Sequence, residues 1–414
     1  MKTLFKILIG IIAAIALICL VLGVANKLNE AAMNEYIDSF GKVEFENQLT
    51  PEYDEDGVPY FTTDRDFKVM QLTDIHITGG IIGAADDKKA INAVAAMITA
   101  EKPDLVVVTG DISFAVPWSG TLNNAYAHSY FKRLMENLGV YWTVAFGNHD
   151  SEAYDFYPRE AVAKMYEDES LKYCLFSSDD GDVYGDCNHV INVRNSVGLI
   201  SKSIIVMDTN SYTDDDPLGF SWIYDNIHKD QIDWYRGVVE KYSAYNQLTL
   251  ANMSISGETV PTNIEDFTTV QSLIFVHIPL METREAYFDY LENEGDTEDT
   301  KHLFGKVGEE DPYVYCSEIE EEMFETMLEL GSTGAMFFGH DHLNNIVLDY
   351  KGIIFSYGYS VDYFAYIGID KLGSQRGCTV INCATDASFE IIHENYYQDK
   401  YGSLDEMKQV DMNN

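Results

Sequence analysis

Two periods of apolar spacing divide this chain into elements. The first apolar feature is a continuous run, Ile7 to Ala25, about the length that crosses a bilayer as a helix. Residues 28–65 that follow are polar and acidic, with Asn, Pro and Asp-Gly breaks, and read as a stalk. Short β-branched runs then alternate with helical stripes. Phe67–Leu72 predicts a strand; Ile91, Val94, Ala95 and Ile98 predict a helix over 87–101 closed by Pro103. Leu105-Val106-Val107-Val108 is apolar throughout, the pattern of a strand buried on both faces. Phe131, Leu134, Met135 and Leu138 form a second helical stripe, and Tyr141–Phe146 a third strand. Strands alternating with helices predict a largely parallel sheet with right-handed crossovers.

The middle of the chain is less regular. Strands are expected at 204–208, 272–279 and 335–338, with helices over 231–245 and around Ile319, Met323 and Met327. Further strands fall near 345–357, 377–384 and 388–393. Residues 151–200 carry no clear period, and 281–315 are acidic and poor in core residues, which suggests a surface insertion. These loops and 211–230 are expected to wall any site. The organisation is then an anchor or signal segment over 1–30, a stalk over 31–65, one domain over 66–395 and a polar tail over 396–414.

Charge narrows the choice of partners. The 27 basic against 68 acidic residues give a formal net charge of -41, which repels phosphate backbones and disfavours nucleic acid. A small anionic substrate would need local positive charge, and a metal centre would supply it. Lys2 and Lys6 precede the apolar run, while Glu30, Glu35 and Asp38 follow it. The positive-inside rule therefore places the N-terminus in the cytoplasm and the domain outside the cell membrane on a single span. The rival is a cleaved signal peptide ending near Gly23-Val24-Ala25, which would leave a secreted protein. Cys174 and Cys187 could close a small loop, but spacing alone does not decide it.

The candidate chemistry lies at strand ends, where α/β proteins bind ligands. Thr73-Asp74-Ile75-His76, Gly110-Asp111, Gly147-Asn148-His149-Asp150, His277 and Gly339-His340-Asp341-His342 each follow an apolar run. A lone strand-end histidine such as His277 is more often structural, and Asp111 could be a helix cap. Five such ends together offer nitrogen and oxygen donors suited to zinc, manganese or iron.

In that order the five motifs resemble those of the calcineurin-like metallophosphoesterases, over about residues 67–393. Gly-His-Asp-His-Leu-Asn, His-Ile-Pro-Leu and the Gln231-Ile232-Asp233-Trp234 helix are similar to the purple-acid-phosphatase-related branch. The resemblance implies an α/β fold, a four-layer αββα sandwich, here preceded by one N-terminal transmembrane helix. It implies two divalent metal ions (manganese, iron or zinc): one held by Asp74, His76 and His342, the other by Asn148, His277 and His340, with Asp111 bridging. His149 would face the substrate, stabilise the transition state and protonate the leaving oxygen. Asp150 would orient His149, or else be a solvated loop acid. The expected reaction is hydrolysis of a small phosphate mono- or diester by attack of a metal-bridging hydroxide.

Two departures bear on this. Phe114 stands where purple acid phosphatases carry a ligand tyrosine, so a purple iron(III) site is not expected. The Asp-Arg-Gly of the protein phosphatase branch is missing after Gly110-Asp111. Two rival functions remain: an inactive surface-binding protein on the same fold, and an extracellular nuclease. Residues Asp208, His128, His189, His228, His302 and His393 match no motif and are read as structural or exposed.

Overall fold

Two β-sheets packed face to face hold the apolar runs. The computed structural model describes residues 2–178, 183–256, 265–309, 313–366, 369 and 375–403. The smaller sheet runs in the order Phe389–Asn395, Gly377–Cys383, Phe67–Leu72, Leu105–Thr109, Trp142–Ala145. Its three N-terminal strands pair in parallel, and the two late strands add to its edge antiparallel. The larger sheet has nine strands among the described residues. At its centre Ile200–Val206, Ser272–Phe275, Thr333–Phe338 and Ile353–Tyr357 pair in parallel, and antiparallel strands flank them. The parallel expectation holds for the centre of the larger sheet and for the three N-terminal strands of the smaller one, while the late strands pair antiparallel.

Side chains on alternate strand positions separate the layers. Ile204, Val206, Leu273, Phe275, Ala335 and Phe337 face the smaller sheet and share one core with Val69, Val107 and Val144. Their neighbours Ile205, Ile274, Met336 and Phe338 point the other way, into a second core with Ile232, Tyr235 and Val239 of the Lys229–Ser256 helix and Met323 and Met327 of the Met323–Leu330 helix. The Ala84–Glu101 and Ala125–Leu138 helices cover the outer face of the smaller sheet. Helix, sheet, sheet and helix give the expected four-layer α/β sandwich.

Several boundaries move. The Lys229–Ser256 helix is longer than its stripe suggested, and Ile319 lies outside the Met323–Leu330 helix, 40% exposed. Residues 281–315 are no mere insertion: Met281–Glu292 is a helix, and Thr300–Phe304 forms the edge strand of the larger sheet. Cys174 and Cys187 are free thiols.

The stalk expected over 31–65 does not form. One helix runs from Lys2 to Asp38, and its last turns bury Met33 and Ile37 in the main core. Pro59–Thr62 then pairs in parallel with His189–Arg194, extending the larger sheet. Met33 and Ile37 lie one helical turn apart among polar and charged neighbours, so 26–38 looks polar by composition alone. At the other end, Tyr396 and Tyr401 are buried in the same core, so 396–403 belongs to the domain; residues 404–414 of the expected tail lie outside the described part.

Candidate metal centre

Every motif converges at the ends of the central strands, and the backbone there is unusual. Asp74, His76, Asp111 and His340 all have positive φ, between 49° and 76°, a conformation costly for residues other than glycine. Each bends the chain off its strand so that the side chain turns into a shared space. Two glycines make room. A Cβ on Gly110 would run into the His277 ring, and one on Gly339 into Thr73 and Asp74.

Asp74, His76, Asp111 and His342 bring ligand atoms all within 4.8 Å of one another. His76 Nε2 lies 3.5 Å from Asp111 Oδ2 and 3.8 Å from Asp74 Oδ1, and His342 Nε2 is 3.6 Å from Asp74 Oδ1. A second group adjoins it through Asp111, whose Oδ2 is 3.1 Å from His277 Nε2, itself 3.1 Å from Asn148 Oδ1. The His340 ring sits 5.2 Å from that of His277.

Surrounding bonds aim these atoms. His277 Nδ1 donates to the Thr109 carbonyl at 2.8 Å, which fixes the ring with Nε2 facing inward. Asn148 Nδ2 donates to the Tyr212 hydroxyl at 3.0 Å, which turns its amide oxygen toward the site. Asp362 stands 3.4 Å behind His342 Nδ1. Thr73 Oγ1 donates to Asp74 Oδ2 at 2.8 Å.

The charge balance suits cations. Burial raises the Asp111 carboxyl, but His277 and His149 beside it outweigh this and hold it well below the usual carboxylate range. Burial pulls His277 down, and Asp111 reverses that to about 9. Burial leaves His340 lowered to about 3. His76 is 2% exposed, and both its ring nitrogens lack a hydrogen-bond partner. Buried imidazole without a partner is costly. A nitrogen-and-oxygen donor set with such orphaned atoms fits divalent metal.

His149 and Asp150 part company. The Asp150 carboxylate is fully buried and accepts the backbone N–H groups of Asp111, Ile112, Ser113 and Gly147 at 2.8–3.0 Å. It clasps two motif loops together and does not touch the His149 ring. The carboxylate on His149 Nδ1 is Glu152, at 2.7 Å, a residue the sequence reading missed. Burial pulls His149 down, and Asp111 and Glu152 together raise it above its ordinary value.

Phe114 stands edge-on to both His76 and His149, with ring centroids at 5.1 and 5.0 Å, so no phenolic oxygen is offered there. The cleft over the group has a volume of about 340 Å³ and is walled by Tyr212, Trp222, Tyr224, Glu309, Tyr315 and Tyr366 among others. Loops 211–230 and 281–315 thus supply walls as expected. Contrary to expectation, none of the described cleft-lining residues comes from 151–200; that segment supplies Glu152 behind His149 and Arg159, 2.5 Å from the buried Asp208, which is structural as expected.

Two Arabidopsis thaliana relatives named probable inactive purple acid phosphatases, 28 and 14, are 24% and 25% identical over 334 and 329 residues, each alignment covering 74% of this chain and 73% of the relative. Among solved structures, a dimetal phosphatase from Danio rerio aligns over 81% of this chain and 98% of its own with 13% identity and a TM-score of 0.44. The calcineurin-like phosphoesterase YfkN from Bacillus subtilis aligns over 81% of this chain and 92% of its own, with 12% identity and a TM-score of 0.33. The model of the calcineurin-like phosphoesterase family matches residues 67–344, more than half the chain, and this protein belongs to that family.

Proposed function

We propose that the chain is an active metal-dependent phosphoesterase, anchored in the cell membrane by its N-terminal helix with the domain outside. The observation that carries this is the buried Asp74, His76, Asp111 and His342 group with its orphaned imidazole nitrogens. Asp74, His76 and His342 would hold one divalent ion, Asn148, His277 and His340 a second, and Asp111 both. Such ions polarise phosphoryl oxygens and acidify water near neutral pH. His149, whose protonated form Asp111 and Glu152 favour, stabilises developing charge and gives a proton to the leaving oxygen. The Asp150 clasp holds Asp111 and His149 in register.

The walls favour one class of ester. Among the described cleft residues Asp111, Glu309 and Asp341 are acidic and none is Lys or Arg. A substrate carrying further phosphates would meet repulsion, so the preferred ester bears one phosphate and an uncharged or cationic remainder. With phenylalanine at 114, the ions would be manganese, zinc or iron(II). Stoichiometric iron(III) with a visible tyrosinate band would refute that choice.

A second reading, a binding protein without turnover, is suggested by the names of the plant relatives. Assay of the full chain in detergent decides between them. It would be stripped of metal and given p-nitrophenyl phosphate and bis-p-nitrophenyl phosphate with added manganese, zinc or iron(II). Turnover that returns with metal and falls by roughly 10²-fold or more in His149→Ala supports the enzyme; silence with metal bound supports the binding protein.

A further inference from the structure

The N-terminal helix and the cleft are joined by a short chain of contacts. Apart from Leu22, the helix leaves its large apolar side chains half or more exposed from Leu4 to Val24, and among the described residues it is the single helix long and apolar enough to cross a membrane. That stretch ends at Asn26, which is 5% exposed. Its amide is used on two loops of the domain: Nδ2 donates to the Gly120 carbonyl and Oδ1 accepts from the Ile81 N–H, both at 2.9 Å. About 20 helical residues fill the hydrocarbon of a bilayer, so the Asn26 turn falls at its surface. The loops bonded to it lie at the same level.

Those loops expose large apolar side chains. Ile82 is 60% exposed, Trp118 63% and Phe156 67%. Ile82 N–H bonds to Ser119, Phe156 N–H bonds to Leu122, and Phe156 shares a cavity with Cys19, Leu22 and Gly23 of the helix. Three such side chains around a helix exit would be a liability in water. Trp and other aromatic residues are enriched where membrane meets water. Trp118 also leads inward: its ring is 6.4 Å from that of Phe114, which packs on His149.

We propose that the domain rests on the bilayer through Ile82, Trp118 and Phe156, and that its substrate is a phosphate ester in the headgroup of a membrane lipid. This rests on the phosphoesterase and anchor readings above and specifies where the cleft works. The seat holds the site beside the headgroup layer, so a lipid ester meets the cleft without leaving the membrane. A net charge of -41 makes a zwitterionic surface the compatible one.

The full-length chain, reconstituted in phosphatidylcholine vesicles with bromine on shallow acyl carbons, tests the seat by tryptophan quenching. The bromine-quenched signal should drop by about half in Trp118→Phe, since an interfacial ring is within reach of shallow bromine. Equal quenching in both proteins, with the helix resistant to alkaline extraction, overturns the seat and leaves the exposed rim to a protein partner. For the substrate, vesicles doped with phosphatidic acid report phosphate and phosphocholine release. The Ile82→Asp, Phe156→Asp double variant should lose about tenfold on lipid while keeping its rate on p-nitrophenyl phosphate. Equal loss on both, or on neither, overturns the lipid assignment. A wild-type chain silent on p-nitrophenyl phosphate would instead count against the phosphoesterase reading, with quenching still judging the seat.

Discussion

Glu152 and Asp150 are two residues apart and do different work. Glu152 is bonded to the His149 ring, whereas Asp150 spends both oxygens on backbone N–H groups. Glu152→Gln should therefore lower kcat about tenfold with KM, metal content and melting temperature little changed. Asp150→Ala should instead destabilise the fold by roughly 3 kcal/mol or more, because it leaves several buried N–H groups without partners. Steady-state kinetics beside denaturant titration separates the two. The ligand-type residues themselves were legible in the sequence, since each is a donor set immediately after an apolar strand. Glu152 was not: it reaches His149 only because His149–Ser151 forms a short 3-10 turn, which no apolar period announces. Asp362 was missed for a similar reason, lying in a loop that becomes adjacent to His342 only on folding.

Among elements, the N-terminal helix departs furthest from expectation. Its final turns are core, not tether, so Ile37→Ala should cost about 2–5 kcal/mol in chemical denaturation; a stalk would show no loss. The three parallel strands of the smaller sheet were readable to within a residue or two, being short and almost wholly buried. Pro59–Thr62 and His189–Arg194 were not, because each sits in a polar, loop-like context and gains its place from a partner far along the chain. The Met281–Glu292 helix adds a pH-sensitive contact. Burial, with Glu325 and other acids nearby, raises Glu282 from 4.5 to about 7 and Glu321 to about 8. The folded state then keeps protons that the unfolded chain has released, so stability falls as pH rises from about 4.5 to 8. Glu282→Gln with Glu321→Gln should raise the melting temperature at pH 8 more than at pH 5. An equal gain at both values would show that these carboxyls are not protonated in the fold.

For the molecule as a whole, the two sheets and their outer helices bring five distant strand ends to one point, the reason the motifs could be read in order. What the order could not convey is how the N-terminal helix, the Asn26 bonds and the cleft relate in space, since none of these contacts lies within one motif. Metal content tests the proposed shared role of Asp111, on which the two halves of the site would depend. The full-length protein would be stripped, reloaded with manganese, zinc or iron(II), freed of excess and measured by mass spectrometry of its metals. About two ions per chain are predicted, falling to about one or fewer in Asp111→Asn. A wild-type chain that holds no metal after loading would contradict the dinuclear site and the hydrolase built on it.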